Sequence, residues 1–226
     1  TDADWVMERY LNAFAEACDP HTTYMTPSSD DDFNIQMKLS LVGIGALLKS
    51  EDGAAKVERI IPGGPADQDK RPIRLMAGDK IIAVGDAEQP PVDVLHWPLS
   101  KVVQRIRGEK GRKVVLIVIP ASDPSGTTTK RVDLIRDEVK LEEQAAKLEV
   151  REVPAATGAR RFAVVNLPAF YANIEVGVDD PLYRSSTRDV AQALQAAMAS
   201  GRVDGVVLDL RNNGGGYLPE AVINYL

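Results

Sequence analysis

The sequence predicts an α+β chain, and three observations carry that reading. Residues 39–137 break into short apolar, β-like runs with two helical segments among them. Residues 161–211 run strand, helix, strand, the order of a parallel βαβ unit. Residues 4–17 place Met7, Tyr10, Leu11 and Phe14 at helical spacing ahead of both. The expected organisation is an N-terminal helical segment over 1–37, a complete small α+β domain over 38–137, and an incomplete α/β segment over 138–226.

The elements follow in order. Asp19-Pro20 stops the first helix, because proline disfavours helix at the residue before it. The Asp30–Asp32 run reads as a solvated helix start or a loop. LSLVGIGALL (39–48) is apolar with two glycines, and AKVERII (55–61) is a strand. GGPADQ (63–68) turns into a short helix, and AGDKIIAVGD (77–86) is a turn followed by a strand. LSKVVQRIRG (99–108) is an amphipathic helix closed by Gly108. KVVLIVI (113–119) and KRVDLIRDEV (130–139) each read as one strand, joined by a loop. Residues 141–153 suit helix or strand equally. RFAVVNL (161–167) and GVVLDLR (205–211) read as buried strands, with 171–184 a loop. Between the strands, Ser186–Ser200 presents Val190, Leu194 and Met198 on one face, with Ser186 and Asp189 resembling a capping box. After NNGGG, a last helix starts near Pro219.

Composition narrows the function. The 226 residues hold 27 basic and 33 acidic side chains, a net charge of −6, which leaves no basic footprint for nucleic acid. No apolar run approaches a membrane span, and no signal peptide is visible. One cysteine, Cys18, excludes an internal disulfide and a Cys-rich zinc site. His21 and His96 are too few for a His-rich metal site, and Asp30–Asp32 lacks calcium-loop spacing. No metal or cofactor is expected. There is no Gly-x-Ser-x-Gly elbow, P-loop or dinucleotide fingerprint. His21 reads as a turn cap and His96 as packing or surface. The start at Thr1 and the stop at Leu226 inside an apolar stretch read as part of a longer protein.

Two glycine sites remain. At Gly43-Ile44-Gly45, glycines let successive backbone N–H groups form a concavity that holds a carboxylate. The following strand, with Ala46 and Leu47, is then free to pair with an added peptide, and the 99–107 helix supplies an apolar wall. The alternative is a β-bulge or a tight hairpin. At DLRNNGGGYLPEA (209–221), a glycine turn between strand and helix aims N–H groups outward, the makings of an oxyanion hole. The alternative there is an ordinary βα turn, or a small-anion site.

DPHTTYMTP (19–27), SLVGIGALL (40–48), GGPA (63–66), AGDKIIAVG (77–85), VVQRIRGEKGRKVVLIVI (102–119) and DLRNNGGG (209–216) occur in that order. Together they resemble the carboxyl-terminal processing peptidases, or tail-specific proteases. PVDVLHWPLSKVVQ (91–104) is similar to the extra stretch of the bacterial branch. The resemblance implies a PDZ-like β-barrel domain with two helices over 38–137, binding apolar free carboxyl termini of proteins or peptides, and a truncated α/β serine-protease core over 138–226. Val102, Val103 and Ile106 would be candidates for the PDZ groove, and Gly215 or Gly216 would supply an oxyanion N–H. The implied nucleophile is a serine with a lysine base, both in later segments than this chain holds, so the chain alone is expected not to cleave peptide bonds. The resemblance also implies the periplasm. A non-catalytic PDZ adaptor that binds peptides is the competing expectation, with adaptor partners and oligomeric state open.

Overall fold

The computed structural model describes residues 3–216 except 88, 124, 157 and 182. The expected helix near Pro219 lies outside the described residues. The chain divides into two compact units, Ser40–Leu141 and a second made of Thr1–Leu39 with Glu142–Leu226.

The Ser40–Leu141 unit is an antiparallel sheet with two short helices. Its strands are β1 (Ser40–Gly43), β2 (Ala46–Glu51), β3 (Ala54–Ile60), β4 (Lys80–Asp86), β5 (Val92–Asp93), β6 (Lys113–Ile119), β7 (Lys130–Ile135) and β8 (Asp137–Lys140). Its helices are α3 (Pro65–Gln68) and α4 (Leu99–Ile106). The main sheet runs β2-β3-β4-β6-β7, β5 pairs with β4, and β1 pairs with β8 in a separate ribbon. Among the described residues the strands stay open and do not close into a barrel. Asp52 and Gly53, with φ of 53° and 78°, make the tight β2–β3 hairpin turn, whose backbone twist matches the paired strands. Val57, Ile81, Val84, Val114, Leu116 and Val118 fill the core from three strands, alternating along β6 and separated by a register shift in β4.

The 130–139 run, expected as one strand, divides at Arg136. The reason is a buried guanidinium. Arg136 Nε donates to Ile106 O at 2.7 Å, and its other nitrogens donate to Arg105 O at 3.3 Å and Lys113 O at 3.2 Å. It thereby satisfies carbonyls left open at the end of α4. Burial lowers the Arg136 pKa, with Asp86 opposing. A Cβ at Gly108 would sit 3.2 Å from this guanidinium, so a glycine stands there.

In the other unit, α1 (Ala3–Cys18) precedes α2 (Pro27–Lys38). Asp30–Asp32 lies inside α2. Met7, Tyr10 and Phe14, the apolar face of α1, are exposed. Thr26 caps α2, with Pro27 opening it. Glu8 Oε2 accepts from Thr26 Oγ1 at 2.8 Å and from Ser29 Oγ at 2.6 Å, tying α1 to that cap. These bonds, Ser29 first, hold the Glu8 carboxyl below the usual glutamate range. A carboxyl whose pKa is depressed on folding stabilises the fold while ionised. Its contribution is complete above the unfolded pKa and is lost as pH falls through the folded one. Protection of residues 3–18 against amide exchange, taken relative to the intrinsic rate at each pH, is therefore expected to fall in acid, and in Glu8→Gln to be low at every pH.

A three-stranded sheet completes this unit, in the order β11-β10-β9. Its strands are β9 (Lys147–Ala155), β10 (Gly158–Asn166) and β11 (Gly205–Asp209), with helix α5 (Ser186–Ala199) between the last two. The ambiguous 141–153 segment resolves into a 3-10 turn at Glu142–Gln144 and the start of β9. β10 and β11 are parallel, from Phe162↔Gly205 to Asn166↔Asp209. Ser185, rather than Ser186, caps α5, its Oγ accepting from Arg188 N at 3.2 Å. Ser186 is already committed, its N–H donating to Tyr171 O at 2.8 Å. Val190, Leu194 and Ala197 are the buried face of α5, and Met198, one residue round, is exposed. β11 was expected to be buried, yet Val206 and Val207 are exposed. It is an edge of the described sheet, and one face carries an open cleft of about 770 Å³ lined by Leu148, Phe162, Val164 and Val207.

Candidate functional site

The first site lies at the start of β2. Gly43 ends β1 opposite Asp137, and Ile44 turns into the core. Gly45 has a φ of 73°, and its missing side chain faces Gly64: a Cβ there would meet Gly64 Cα at 2.9 Å. The Gly63-Gly64 turn and α3 hold this corner from behind. Ala66 N–H donates to Ile44 O at 2.9 Å, and Ile61 N–H donates to Gly45 O at 2.8 Å. The carbonyls are thus occupied, while among the described residues no backbone carbonyl receives the Ile44 or Gly45 N–H.

β2 pairs with β3 along one side and ends the main sheet, so among the described residues its other side presents unpaired backbone groups. Ala46 and Leu48 are half-buried against the core cluster, and Leu47, on the opposite face, is exposed. Helix α4 packs beside β2. Val102 and Ile106, expected to line a groove, are buried in the core cluster. They are the centre of the apolar face of α4 and go deepest. Val103 is half-buried, as is Leu99, which lies on the same apolar face and packs against the same cluster. The helix register was the available signal, since both residues flank the buried stripe.

The second site sits at the carboxyl ends of β10 and β11, where parallel α/β sheets place their ligands. Leu167 N–H donates to Asp209 O and Phe170 N–H to Gly215 O, each at 3.0 Å, drawing the two strand ends together. Asn213 does two things. Its Nδ2 donates to Leu167 O at 2.9 Å, and its Oδ1 accepts from Gly215 N–H at 2.8 Å. The Gly215 amide, expected to point outward unpaired, is therefore engaged by its own turn. Gly216 lies against the Phe170 carbonyl, so close that a Cβ would stand 2.0 Å from Phe170 O. No acceptor for the Gly216 N–H occurs among the described residues. Arg211 grips Asp209 at 2.6 Å, and this bonding depresses the Asp209 pKa.

A network that the sequence did not reveal ties Arg184 and the buried Tyr171 to α5. Tyr171 OH donates to Asp189 Oδ2 at 2.6 Å and accepts from Ala146 N–H at 3.0 Å. Arg184 bonds the same Asp189 at 3.1 Å and Glu142 at 2.8 Å. Burial, helped by Asp189, raises the Tyr171 pKa, so the phenol is a donor at all ordinary pH.

The remaining candidates are ordinary. His21 lies 3.1 Å from Asp19 Oδ1 in an exposed turn, and the His96 ring rests on Gly53. Among the described residues no group of His, Cys, Asp or Glu is arranged to hold a metal ion. No helix among them is long and apolar enough to cross a membrane.

Three family models match successive segments: the tail specific protease N-terminal domain over 1–28, the PDZ domain over 33–119, and peptidase family S41 over 161–225. A tail-specific protease of Haemophilus influenzae is 39% identical over 222 residues, 98% of this chain and 29% of that protein. A chloroplastic C-terminal processing peptidase of Tetradesmus obliquus is 27% identical over 208 residues, 90% of this chain and 40% of its own. The chain thus spans less than half the length of these relatives. The solved PDZ domain of a carboxy-terminal protease from Vibrio cholerae, in complex with a peptide, is 41% identical over 46% of this chain and all of its own, with a TM-score of 0.42.

Proposed function

We propose, for a chain built from the N-terminal, PDZ and S41 segments of the tail-specific proteases, part of a serine endopeptidase that takes hold of proteins by their apolar free carboxyl termini. The observation that carries this reading is the corner at Ile44-Gly45. Two backbone N–H groups remain without a carbonyl partner among the described residues, at the head of an unpaired strand edge. A terminal carboxylate accepts from those amides, the preceding residues add a strand antiparallel to β2, and the last side chains rest on Ala46, Leu48, Leu99 and Val103.

The S41 segment contributes the Gly216 amide toward an oxyanion. A tetrahedral intermediate carries its negative charge on one oxygen, and a fixed N–H pointed at that oxygen needs no reorganisation as the charge forms. The serine nucleophile and lysine base are assigned to sequence beyond these 226 residues, a lysine serving as base once burial lowers its pKa. By itself the chain is expected to bind tails and to leave peptide bonds intact. The compartment we propose is the periplasm.

The test is a titration with a labelled peptide ending in three apolar residues, as free acid and as amide. The free acid is expected to bind at least tenfold tighter, about 1.4 kcal/mol. Equal affinities remove carboxylate capture. Appending the downstream sequence and assaying hydrolysis separates the protease from a binding adaptor, which would stay inert.

A further inference from the structure

Helix α4 is short compared with the tail it is read as holding. Its eight residues rise 1.5 Å each, roughly 12 Å in all, and an extended peptide advances about 3.3 Å per residue. The helix therefore faces only about four residues of a bound tail. Residues further upstream run past its N-terminus. The residue that meets the β2–β3 turn, His96, comes three positions before Leu99, so the N-terminal end of α4 lies at the far end of β2 from Gly45.

The segment that occupies this end is fixed at three points. Val94 is buried, and its N–H donates to Ile82 O at 2.9 Å. His96 N–H donates to Gly53 O at 2.6 Å, and its ring fills the space where a Gly53 side chain would be. Pro98 caps α4. His96 holds a φ of 60°, uncommon for a residue with a side chain. Between these anchors Leu95 and Trp97 stay 37% and 38% exposed. Two apolar side chains on a pinned segment offer a ready surface, because little further ordering is lost when something covers them.

We propose that residues 94–98 prolong the tail-binding groove, and that Leu95 and Trp97 receive an apolar side chain lying about four to six residues before the substrate's carboxyl terminus. This rests on the reading of β2 and α4 as the tail site, to which the segment is joined at Gly53 and at Pro98. It makes the protein selective for sequence upstream of the terminal residues.

The experiment uses two sets of free-acid peptides with the same three apolar terminal residues. One carries Leu or Phe at the fifth and sixth positions from the end, the other Ser. The apolar set is expected to bind about five- to tenfold tighter. Trp97→Ala is expected to erase that difference while keeping the preference for acid over amide. Because the chain has two tryptophans, Trp5→Phe leaves Trp97 as the single reporter. Its emission is expected to shift to the blue with the apolar set alone, a readout independent of any change at position 97. Equal binding of the two sets, or a preference that survives in Trp97→Ala, overturns the proposal. The two readings fail separately. Loss of the acid preference with the upstream preference intact overturns carboxylate capture, and the reverse result overturns the extended groove.

Discussion

Replacing Asp79 with alanine is expected to lower the thermal midpoint of the Ser40–Leu141 unit by roughly 10–20 °C, about 3 kcal/mol. Asp79 is 1% exposed, and all its bonds are made inside the unit. Oδ2 accepts from Met76 N–H at 2.8 Å and pairs with Lys130 Nζ at 2.8 Å, while Oδ1 accepts from Ala121 N–H at 3.0 Å. One carboxylate therefore ties the turn before β4 to the chain leaving β6 and to the first residue of β7. Alanine leaves two backbone donors and an ammonium without their acceptor, and a buried unpaired donor costs about 1–3 kcal/mol. Lys130→Met is expected to be milder, because the two backbone bonds survive and the lysine is partly solvated. Denaturant titration of the two variants and their double mutant measures the coupling. Equal losses for both would mean that the ion pair, and not the turn, holds this corner.

Asp79 also marks the limit of what the sequence discloses. AGDK announces a turn, because glycine and aspartate favour one locally, and the turn is there. Nothing in those four letters says that the carboxylate reaches Ala121, 42 residues on. The same division holds elsewhere. The glycines of SLVGIGALL and GGPA are legible as turns, whereas the contact of Gly45 with Gly64 explains why both must be glycines. Helical spacing identified the apolar face of α4 correctly. The same spacing does not say how deep each residue lies: Val102 and Ile106, at the centre of the face, are buried in the core, while Leu99 and Val103 flank them half-buried. KRVDLIRDEV alternates well enough for one strand, and only the buried Arg136 guanidinium shows why it breaks. GVVLDLR has the composition of a covered strand, but as the edge of the described sheet its valines are exposed. Local propensity and periodicity are written in neighbouring residues. Long-range hydrogen bonds such as Tyr171 to Asp189 are properties of the assembled chain.

The three glycines of the turn after β11 are expected to respond very differently to alanine. A Cβ added at Gly214 would meet no atom within 4 Å, and its φ is not left-handed, so Gly214→Ala should be nearly silent. Gly215 has equal room but a φ of 104°, and alanine there costs about 1–2 kcal/mol of backbone strain. Gly216 combines a φ of 119° with a Cβ position 2.0 Å from Phe170 O and 3.0 Å from its carbon, both backbone atoms. Neither can yield without parting the Phe170 N–H from Gly215 O, the bond that closes the strand ends. If the Gly216 amide is an oxyanion donor, Gly216→Ala in the longer, catalytically complete protein lowers peptide hydrolysis at least 100-fold, since one such donor contributes about 2.7–4 kcal/mol. Tail affinity at the Ser40–Leu141 unit is expected to stay unchanged, because none of these bonds involves its residues. Hydrolysis surviving within a few-fold in Gly216→Ala would remove this amide from the chemistry. A loss as deep in Gly214→Ala would trace the effect to the flexibility of the turn and not to the one donor.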